Sequence, residues 1–355
     1  MEKCFKKGTT LGLVARIVNV SMPIISDTRG LFMKVRISII ILNWNSKRWL
    51  KNCLTSVLNQ DLGEPFEVLL VDNGSTDDSV KYVKEDFPEV KVVGLDRNYG
   101  FAEGNNRALK YATGNYLIFV NTDTRAEAGW LKNLVNAADE HPEYQILCSI
   151  QIPSEERNRI RTLNAFGDAT LSPYESDSAV TDSVFASGAC FLIKRSWLQR
   201  LGYLFDPYYV FYAEDIELSL RTVLLGGQIG YVRDSRIAHY IGGAGLLPAK
   251  TSFYATRNLL LTYYKLFRLK NFFRVFLVRI AYLAPRFLAR RQQLANNIGM
   301  VRGTLSFLAT FPYYNRYRRV FAKRKKRDDR FIFERFLYRR RMERLFLKRG
   351  IYGCP

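Results

Sequence analysis

Acidic side chains next to a few predicted turns carry the strongest chemical signal in this sequence. Asp72 and Asp123 each follow a short apolar run, Glu214 and Asp215 begin a helical pattern, and His239 follows another apolar run. Carboxylates in a cleft can accept a proton as a general base or bind a hard cation, which a histidine can also bind. Each residue alone has an ordinary structural explanation, such as a turn or a helix end, so the signal lies in their combination.

The elements around these residues predict an α/β sheet. Short apolar, β-branched runs typical of buried parallel strands occupy 35–43, 67–72, 90–93 and 116–120. Apolar residues at helical spacing lie between them, and strands that alternate with helices predict a parallel sheet with right-handed crossovers. Ligands bind such sheets at the carboxyl ends of the strands, where Asp72 and Asp123 are both expected.

Later segments extend this predicted scaffold. Residues 184–193 predict a strand interrupted by small residues, 214–225 predict a helix, and 229–232 predict a short strand. Ser75 and Asp78 have the spacing of a helix-capping pair. From 253 onward the patterns are helical, so the α/β scaffold is expected to end near there.

The charge is concentrated in one part of the chain. The formal net charge is +21, and residues 265–355, with 25 basic and four acidic residues, account for all of it. This asymmetry predicts an anionic partner, either lipid headgroups or nucleic acid. A content of 48% hydrophobic residues excludes a disordered chain, and five scattered cysteines without a CxxC pair argue against a structural zinc site or a disulfide framework.

Three regions are predicted. Residues 1–34 form an N-terminal extension, 35–264 form the α/β domain, and 265–355 form a basic helical region. No run of 18 apolar residues occurs, so no membrane-spanning helix is expected, and Arg16 interrupts the apolar N-terminal stretch in a way that argues against a secretory signal. Arginines interleaved with apolar residues over 267–294 instead favour a helix that lies in the plane of a membrane surface.

Seven stretches in order resemble the inverting family 2 glycosyltransferases, most of all their rhamnosyltransferase-like branch. The stretches are IIILNWN (39–45), LLVDNGSTDDS (69–79), RNYGFAEGNNRAL (97–109), FVNTDT (119–124), FASGACFLIKR (185–195), FYAEDIELSLR (211–221) and SRIAHYIGG (235–243). The resemblance spans roughly 35–260. It implies the GT-A fold, in which a Rossmann-like nucleotide-binding half and an acceptor half share one mostly parallel sheet.

The resemblance also implies a nucleotide-sugar site. Asp72 would hydrogen-bond the pyrimidine base, and the loop that contains Asn98 and Gly100 would pass near the base and the diphosphate. Glycine at 100 would allow close approach of the backbone. The further residues assigned to the nucleotide sugar by resemblance are Asn43, Asn105, Asn121 and Gly188.

The metal ligands and the general base are assigned from the same resemblance. Asn121-Thr122-Asp123 occupies the place of the family's DxD-type motif, with Asn instead of Asp at 121. Asp123 and His239 would therefore be the protein ligands of a divalent metal, Mg or Mn, that bridges the phosphates. Asp215 matches the family's general base, and Glu214 remains the competing candidate.

Together these assignments predict an inverting glycosyltransferase of the cell envelope. It would move a sugar, with rhamnose as one option, from a dTDP- or UDP-sugar to a glycan or lipid-linked saccharide by metal-assisted single displacement. It would work as a peripheral protein at an anionic surface, the cytoplasmic face of the membrane, in polysaccharide biosynthesis. One alternative is a nucleic-acid-binding protein built on a degenerate transferase domain, although no nucleic acid is expected as a partner. The other is a sugar nucleotidyltransferase, which is disfavoured because no GxGxRxxP-type loop follows the first strand.

Overall fold

The computed structural model describes residues 35–152, 159–163, 169–173, 176–240, 248–289 and 294–332. The predicted extension at 1–34, the glycines at 242–243 and the basic segment after 332 lie outside the described residues. The predicted fold class is confirmed, because the chain forms an α/β domain around one central sheet, followed by helices. The proposed division of the chain at 34/35 and 264/265 stays a prediction.

Eleven described strands belong to one sheet. They are β1 Ile37–Asn43, β2 Phe66–Asp72, β3 Lys91–Gly94, β4 Tyr116–Asn121, β5 Thr124–Ala126, β6 Ile146–Ile152, β7 Arg159–Leu163, β8 Ala169–Pro173, β9 Val180–Ser183, β10 Cys190–Lys194 and β11 Ile229–His239. The main order is β3-β2-β1-β4-β10-β6-β11-β5. The first four of these strands are mutually parallel, and β10 runs antiparallel between β4 and β6.

The described helices flank this sheet and continue after it. They are α1 Lys47–Leu58, α2 Ser79–Asp86, α3 Gly100–Ala108, α4 Trp130–Glu140, α5 Arg195–Leu201, α6 Glu214–Leu224, α7 Pro248–Leu266, α8 Leu269–Ala289, α9 Leu294–Thr310, a 3₁₀ turn at Phe311–Tyr314, α10 Asn315–Arg324 and α11 Asp329–Ile332. In α1, Leu50, Leu54 and Val57 are buried against the sheet. Their spacing of three and four residues is why this segment is helical.

The strand order places one edge of the sheet where a ligand can bind. β1 lies between β2 and β4, with Asn43 opposite Asp72 and Leu42 opposite Asn121. The chain first winds outward from β1 through β2 and β3, and then returns to its other side at β4. Such a switch point opens a crevice at the carboxyl ends of parallel strands. The predicted site residues Asn43, Asp72 and Asn121 are therefore neighbours.

Two local predictions were wrong. The strand expected over 184–193 begins only at Cys190, because the backbone N–H groups of Ala186 and Gly188 donate to side chains of α6 instead of to a strand. The expected capping pair of Ser75 and Asp78 does not form. Helix α2 begins at Ser79, and the Ser75 hydroxyl accepts hydrogen bonds from the region after β1.

The C-terminal helices are fixed to the α/β domain by a buried ion network. Lys265, at the end of α7, has a fully buried ammonium 2.6 Å from Asp206 and 3.0 Å from Glu217 of α6. Burial alone would lower the pKa of Lys265, but these two carboxylates raise it well above its ordinary value. Arg221 pairs with the same Glu217 carboxylate at 3.1 Å. The network therefore holds α7 against the helix that begins at the predicted base.

Helix α9 packs closely along α7. A Cβ at Gly299 would lie 2.3 Å from the carbonyl oxygen of Ala249, and one at Gly303 would lie 2.6 Å from that of Phe253. The two glycines thus allow the helix backbones to approach. None of the helices in the described parts of the chain combines the length and apolar character needed to cross a membrane.

Candidate functional site

The carboxyl ends of β1 and β2 form a buried polar centre. Asn43 is fully buried and its amide nitrogen donates to Asp72 at 2.9 Å and to Ser79 at 2.8 Å. The other carboxylate oxygen of Asp72 accepts the N–H of Ser75 at 3.0 Å. The carboxylate is therefore fixed at the end of its strand, at the edge where the crevice is expected.

Asn73 holds the next loop in place. Its side-chain oxygen accepts the N–H of Tyr99 at 2.9 Å, and its nitrogen donates to the oxygen of Asn98 and the carbonyl of Gly100, both at 3.1 Å. Gly100 has a φ of 81°, and a Cβ there would lie 2.7 Å from Val210. The loop with Asn98 and Gly100 is thus bound to the end of β2 on one side and to the segment before α6 on the other.

Asp123 and His239 lie together, as expected of a cation site. The Oδ1 atom of Asp123 is 3.4 Å from Nε2 of His239, and the two side chains are 13% and 10% exposed. Antiparallel pairing of β5 with β11 brings them together, since His239 is opposite Thr124. Two ligands at about 2.1 Å from one octahedral cation lie about 3 Å apart, so this pair fits a divalent cation that takes its other ligands from elsewhere.

The described residues do not form a complete set of metal ligands around this pair. Among the residues described by the structure, no group of three or more His, Cys, Asp or Glu side chains is arranged to hold a metal. Asn121 is in the strand that leads to Asp123, and its backbone N–H donates to Ala189 at 2.9 Å. A cation here would need oxygen ligands from a bound substrate, as the single carboxylate of the motif suggests.

The two candidate bases at the start of α6 differ in environment. Asp215 is partly exposed, and its carboxylate accepts the N–H groups of Ile216 at 2.8 Å and Gly188 at 3.2 Å. Glu214 is buried, and its Oε2 atom has no hydrogen-bond partner among the described residues. Burial and then the charge of Asp215 raise the pKa of Glu214 well above its ordinary value. Its surroundings therefore favour the neutral form of Glu214 more than those of an exposed glutamate would.

A strained turn precedes these two residues. Tyr212 and Ala213 both have left-handed backbone angles, with φ of 66° and 64°. The side-chain amide of Asn258, in α7, donates to the carbonyls of Phe211 and Tyr212 at 2.7 Å each. Its oxygen accepts from the guanidinium of Arg257 at 2.9 Å. Helix α7 therefore holds the turn that presents Asp215.

Hydrogen bonds join most of the predicted site residues at one edge of the sheet. Strand pairing links Asp72 to Asn43, the bond from Asn121 reaches the 186–189 loop, and that loop reaches Asp215 through Gly188. Asn105 is the exception. It is buried in α3 and donates to the carbonyl of Phe101 in its own helix, so its contact with a ligand stays a prediction.

Unpaired polar atoms concentrate at the same edge. Native proteins pair nearly all buried polar atoms with protein groups or water, so unpaired ones indicate missing partners. The atoms concerned, each without a partner among the described residues, include Asn43 Oδ1, Trp49 Nε1, Glu214 Oε2 and His239 Nδ1. Polar ligands or water are therefore expected there.

The sequence prediction did not include two residues that shape this site. Asn73 stood within the matched stretch 69–79, but nothing in its spacing indicated that it binds the following loop. Asn258 follows Arg257 in α7, and both side chains donate to backbone carbonyls of the segment before α6. Both form contacts across long sequence separations, which local patterns do not reveal.

Comparison with known proteins identifies the class of this domain. Residues 38–202 match the family model described as "Glycosyl transferase family 2". The chain therefore carries a family 2 glycosyltransferase domain, and the resemblance found in the sequence is confirmed. Asp215 and His239 lie beyond the matched residues, so their roles depend on the geometry described above.

Two curated relatives illustrate the range of similar proteins. The chain is 34% identical over 119 residues to "Uncharacterized glycosyltransferase YfnE" of Bacillus subtilis, an alignment that covers 33% of this chain and 30% of that protein. It is 25% identical over 211 residues to the N-acetylglucosaminyl-diphospho-decaprenol L-rhamnosyltransferase of Mycobacterium tuberculosis, covering 50% of this chain and 67% of that protein. The chain thus spans less than a third of the length of the Bacillus relative.

A solved structure supports the fold. The structure of GalNAc-T7 with UDP, GalNAc and Mn²⁺ aligns with a TM-score of 0.55 and 16% sequence identity, over 74% of this chain and 57% of that chain. Similarity at this level of identity concerns the fold alone. The GT-A fold expected from the sequence is confirmed by it.

Proposed function

We propose that this protein is an inverting glycosyltransferase. It moves a sugar from a pyrimidine-nucleotide donor to a hydroxyl of a glycan or lipid-linked saccharide. The observation that carries the proposal is the partly exposed Asp215 carboxylate, held by two backbone N–H groups and connected through Gly188 to the edge that bears Asp72 and Asp123. A single displacement on a nucleotide sugar requires a base, a pyrophosphate site and a nucleoside site along one edge.

The donor would lie across the ends of β2, β1 and β4. Asp72 would accept a hydrogen bond from the ring N–H of a pyrimidine, and the loop with Asn98 and Gly100 would pass beside the base and diphosphate. Asn43, Asn121 and Gly188 would line the path from nucleoside to sugar. The similarity to a mycobacterial L-rhamnosyltransferase supports a rhamnose donor, dTDP-rhamnose, with UDP-sugars as the second class to test.

Asp123 and His239 would hold a divalent cation, Mg or Mn, against the diphosphate. Such a cation stabilises the negative charge that develops on the leaving nucleoside diphosphate. The 3.4 Å separation between Asp123 and His239 supports this assignment, and the lack of a third clustered ligand in the described residues means that binding should depend on the nucleotide.

Asp215 would act as the general base. The acceptor hydroxyl attacks the anomeric carbon from the face opposite the diphosphate, its proton passes to the Asp215 carboxylate, and the bond from carbon to diphosphate oxygen breaks. The Asp215 carboxylate is partly exposed and accepts two backbone N–H groups, whereas burial and the charge of Asp215 raise the pKa of Glu214 and favour its neutral form. This difference favours Asp215 over Glu214 as the base.

The acceptor suggests where the enzyme works. The mycobacterial relative's name specifies an acceptor linked to decaprenyl diphosphate, which supports a lipid-linked saccharide as the acceptor here. A C-terminal region with the whole net charge of +21 supports peripheral binding to an anionic membrane surface, on the cytoplasmic face, during synthesis of a cell-envelope polysaccharide.

A pair of conservative variants tests the proposal. Asp215→Asn should bind the nucleoside diphosphate like the parent protein but lose at least about 100-fold in transfer, since general-base catalysis contributes about that much. Glu214→Gln is the matched control and should retain transfer. The measurements are nucleoside diphosphate release from dTDP-rhamnose and UDP-sugars, and nucleotide affinity with and without a metal chelator. Transfer by Asp215→Asn near the parent rate would contradict the assignment of the base.

A further inference from the structure

Helices α8 and α9 expose large apolar side chains at helical spacing. On α8 they are Leu269, Phe273, Leu277 and Ile280, and on α9 they are Leu294, Ile298, Val301, Leu305 and Leu308, all between 38% and 64% exposed. Each set follows a spacing of three or four residues and so occupies one face of its helix. We call these nine side chains together the apolar stripe. The helices meet through buried partners, since the rings of Phe272 and Phe307 are 5.8 Å apart.

The segment of the chain that carries the apolar stripe is basic. Between Asp234 and Asp328 the chain has no acidic residue, while α8 and α9 carry exposed cations such as Lys270, Arg274 and Arg302 next to stripe residues. The water-exposed surface of an ordinary domain mixes both signs of charge, and large exposed apolar patches mark interaction sites. The partner of this surface should therefore be both apolar and anionic.

A basic cavity lies beside the first stripe residue. It has a volume of about 300 Å³, and its lining includes Arg268, Arg318, Lys325 and Lys326 together with the acidic Asp328. Burial is the main cause that lowers the pKa of Lys325, to about 8. Asp328 pairs with Arg268 and Asp329 pairs with Lys325, so the four cations outnumber the two carboxylates beside them. A phosphate-bearing group is thus favoured at the end of α8 where the stripe begins.

We propose that the apolar stripe inserts into the interface of a membrane that contains anionic lipids, with the neighbouring Lys and Arg side chains on the headgroups. This proposal rests on the peripheral membrane binding in the proposed function, and it names the surface of the protein that makes the contact. A bilayer interface combines acyl chains with phosphates, which matches a helix face of this composition. A nucleic acid would satisfy the charges but would leave Phe273, Leu277 and Leu305 in water.

Insertion can be measured with a tryptophan in the stripe. Leu277→Trp should shift its emission to shorter wavelength and be quenched by brominated lipid in vesicles of phosphatidylcholine and phosphatidylglycerol. Lys81→Trp, at an exposed position of α2, is the matched control and should not change. A Leu277→Trp signal that vesicles leave unchanged, while the parent protein sediments with those vesicles, would overturn the proposal.

A second variant separates apolar from electrostatic binding. Phe273→Ser combined with Leu277→Ser should lower partition into the vesicles by about tenfold for each side chain. The loss should persist at about 1 M salt, where surface charges are screened. Equal partition of variant and parent, or binding of the parent to random duplex DNA but not to vesicles, would contradict membrane insertion.

This test stays separate from the catalytic proposal. Nucleoside diphosphate release by the Phe273→Ser and Leu277→Ser double variant, measured without vesicles on a water-soluble acceptor, should equal that of the parent. Release that falls with vesicle binding would show that the stripe belongs to the folded core, and would overturn its role as a docking surface. Absence of release from both proteins would count against the proposed transferase activity, while the vesicle measurements would still decide the docking surface.

Discussion

Asn258→Ala should impair catalysis without removing any group that touches a substrate. Asn258 is fully buried in α7, and its amide donates to the carbonyls of Phe211 and Tyr212, just before the helix that begins with Glu214 and Asp215. Alanine would remove both donors. The turn would then lose these two hydrogen bonds to α7, and the Asp215 carboxylate would be held less firmly in its direction.

The magnitude follows from two opposing terms. Left-handed backbone angles cost an L-residue about 1–2 kcal/mol, and the turn contains two such residues, Tyr212 and Ala213. A typical intramolecular hydrogen bond contributes about 0.5–1.5 kcal/mol, so the two bonds from Asn258 offset most of the strain. Without them the turn should relax. The free energy of unfolding should fall by about 1–3 kcal/mol.

The effect on catalysis should be larger than the effect on binding. A displacement of about 1 Å in a catalytic group can lower the rate about 100-fold, so kcat of Asn258→Ala should fall by that order. Nucleotide affinity should stay close to that of the parent, because the contacts of Asp72 and Asp123 do not pass through α7. The assays are urea denaturation, nucleotide binding, and kcat measured on the folded fraction.

Asn297→Ala provides the matched control. Asn297 is also a buried asparagine in a C-terminal helix, 2% exposed, but it lies in α9 and not in the helix that donates to the turn. It should lose stability while kcat is retained. The reasoning would be refuted if Asn258→Ala lowered stability but kept a kcat within about twofold of the parent, or if both variants lowered kcat equally.

Three further predictions concern stability. Lys265→Met should lower the free energy of unfolding by about 3–5 kcal/mol in urea denaturation, because it removes the cation paired with the buried Asp206 carboxylate and one of the two cations paired with Glu217; an exposed lysine such as Lys81 should tolerate the same change. Glu214→Gln should become more stable than the parent as pH rises above 4.5. Folding raises the pKa of Glu214, so the parent loses stability between the unfolded and the folded pKa, whereas glutamine has no proton to lose. A difference in the free energy of unfolding that does not depend on pH would contradict this. Gly303→Ala should lower the free energy of unfolding by about 1–3 kcal/mol despite the better helix propensity of alanine, because its Cβ would lie 2.6 Å from a carbonyl oxygen of α7. An unchanged melting temperature would contradict the close packing of α9.

The sequence determined the scaffold and the chemistry of its edge. Apolar, β-branched runs located β1, β2 and β4 to within two residues, and their alternation with helices predicted that these strands are parallel. Because the carboxyl ends of parallel strands lie at one edge, Asp72 and Asp123 could be expected near each other from local patterns alone. The family motifs then gave the class of enzyme domain, which the family comparison confirmed.

Other features depended on contacts between distant parts of the chain. The small residues of the 186–189 loop do not continue β10, since their N–H groups find acceptors in α6. The neighbours Glu214 and Asp215 look equivalent in sequence, yet Glu214 alone of the two is buried, and its Oε2 atom has no partner in the part of the chain that the structure describes. Lys265 was placed at the start of a basic, surface-binding region, and it lies instead in a buried ion network.

The difference has a physical reason. Strand and helix periodicity reflects which side of an element meets the core, so it can be recognised within one segment. Burial of a polar group and the pKa it acquires depend on which partners desolvate and pair with it. Those partners, such as Asn258 for the turn at 211–213, come from tens of residues away along the chain, and only the packed tertiary structure brings them into contact.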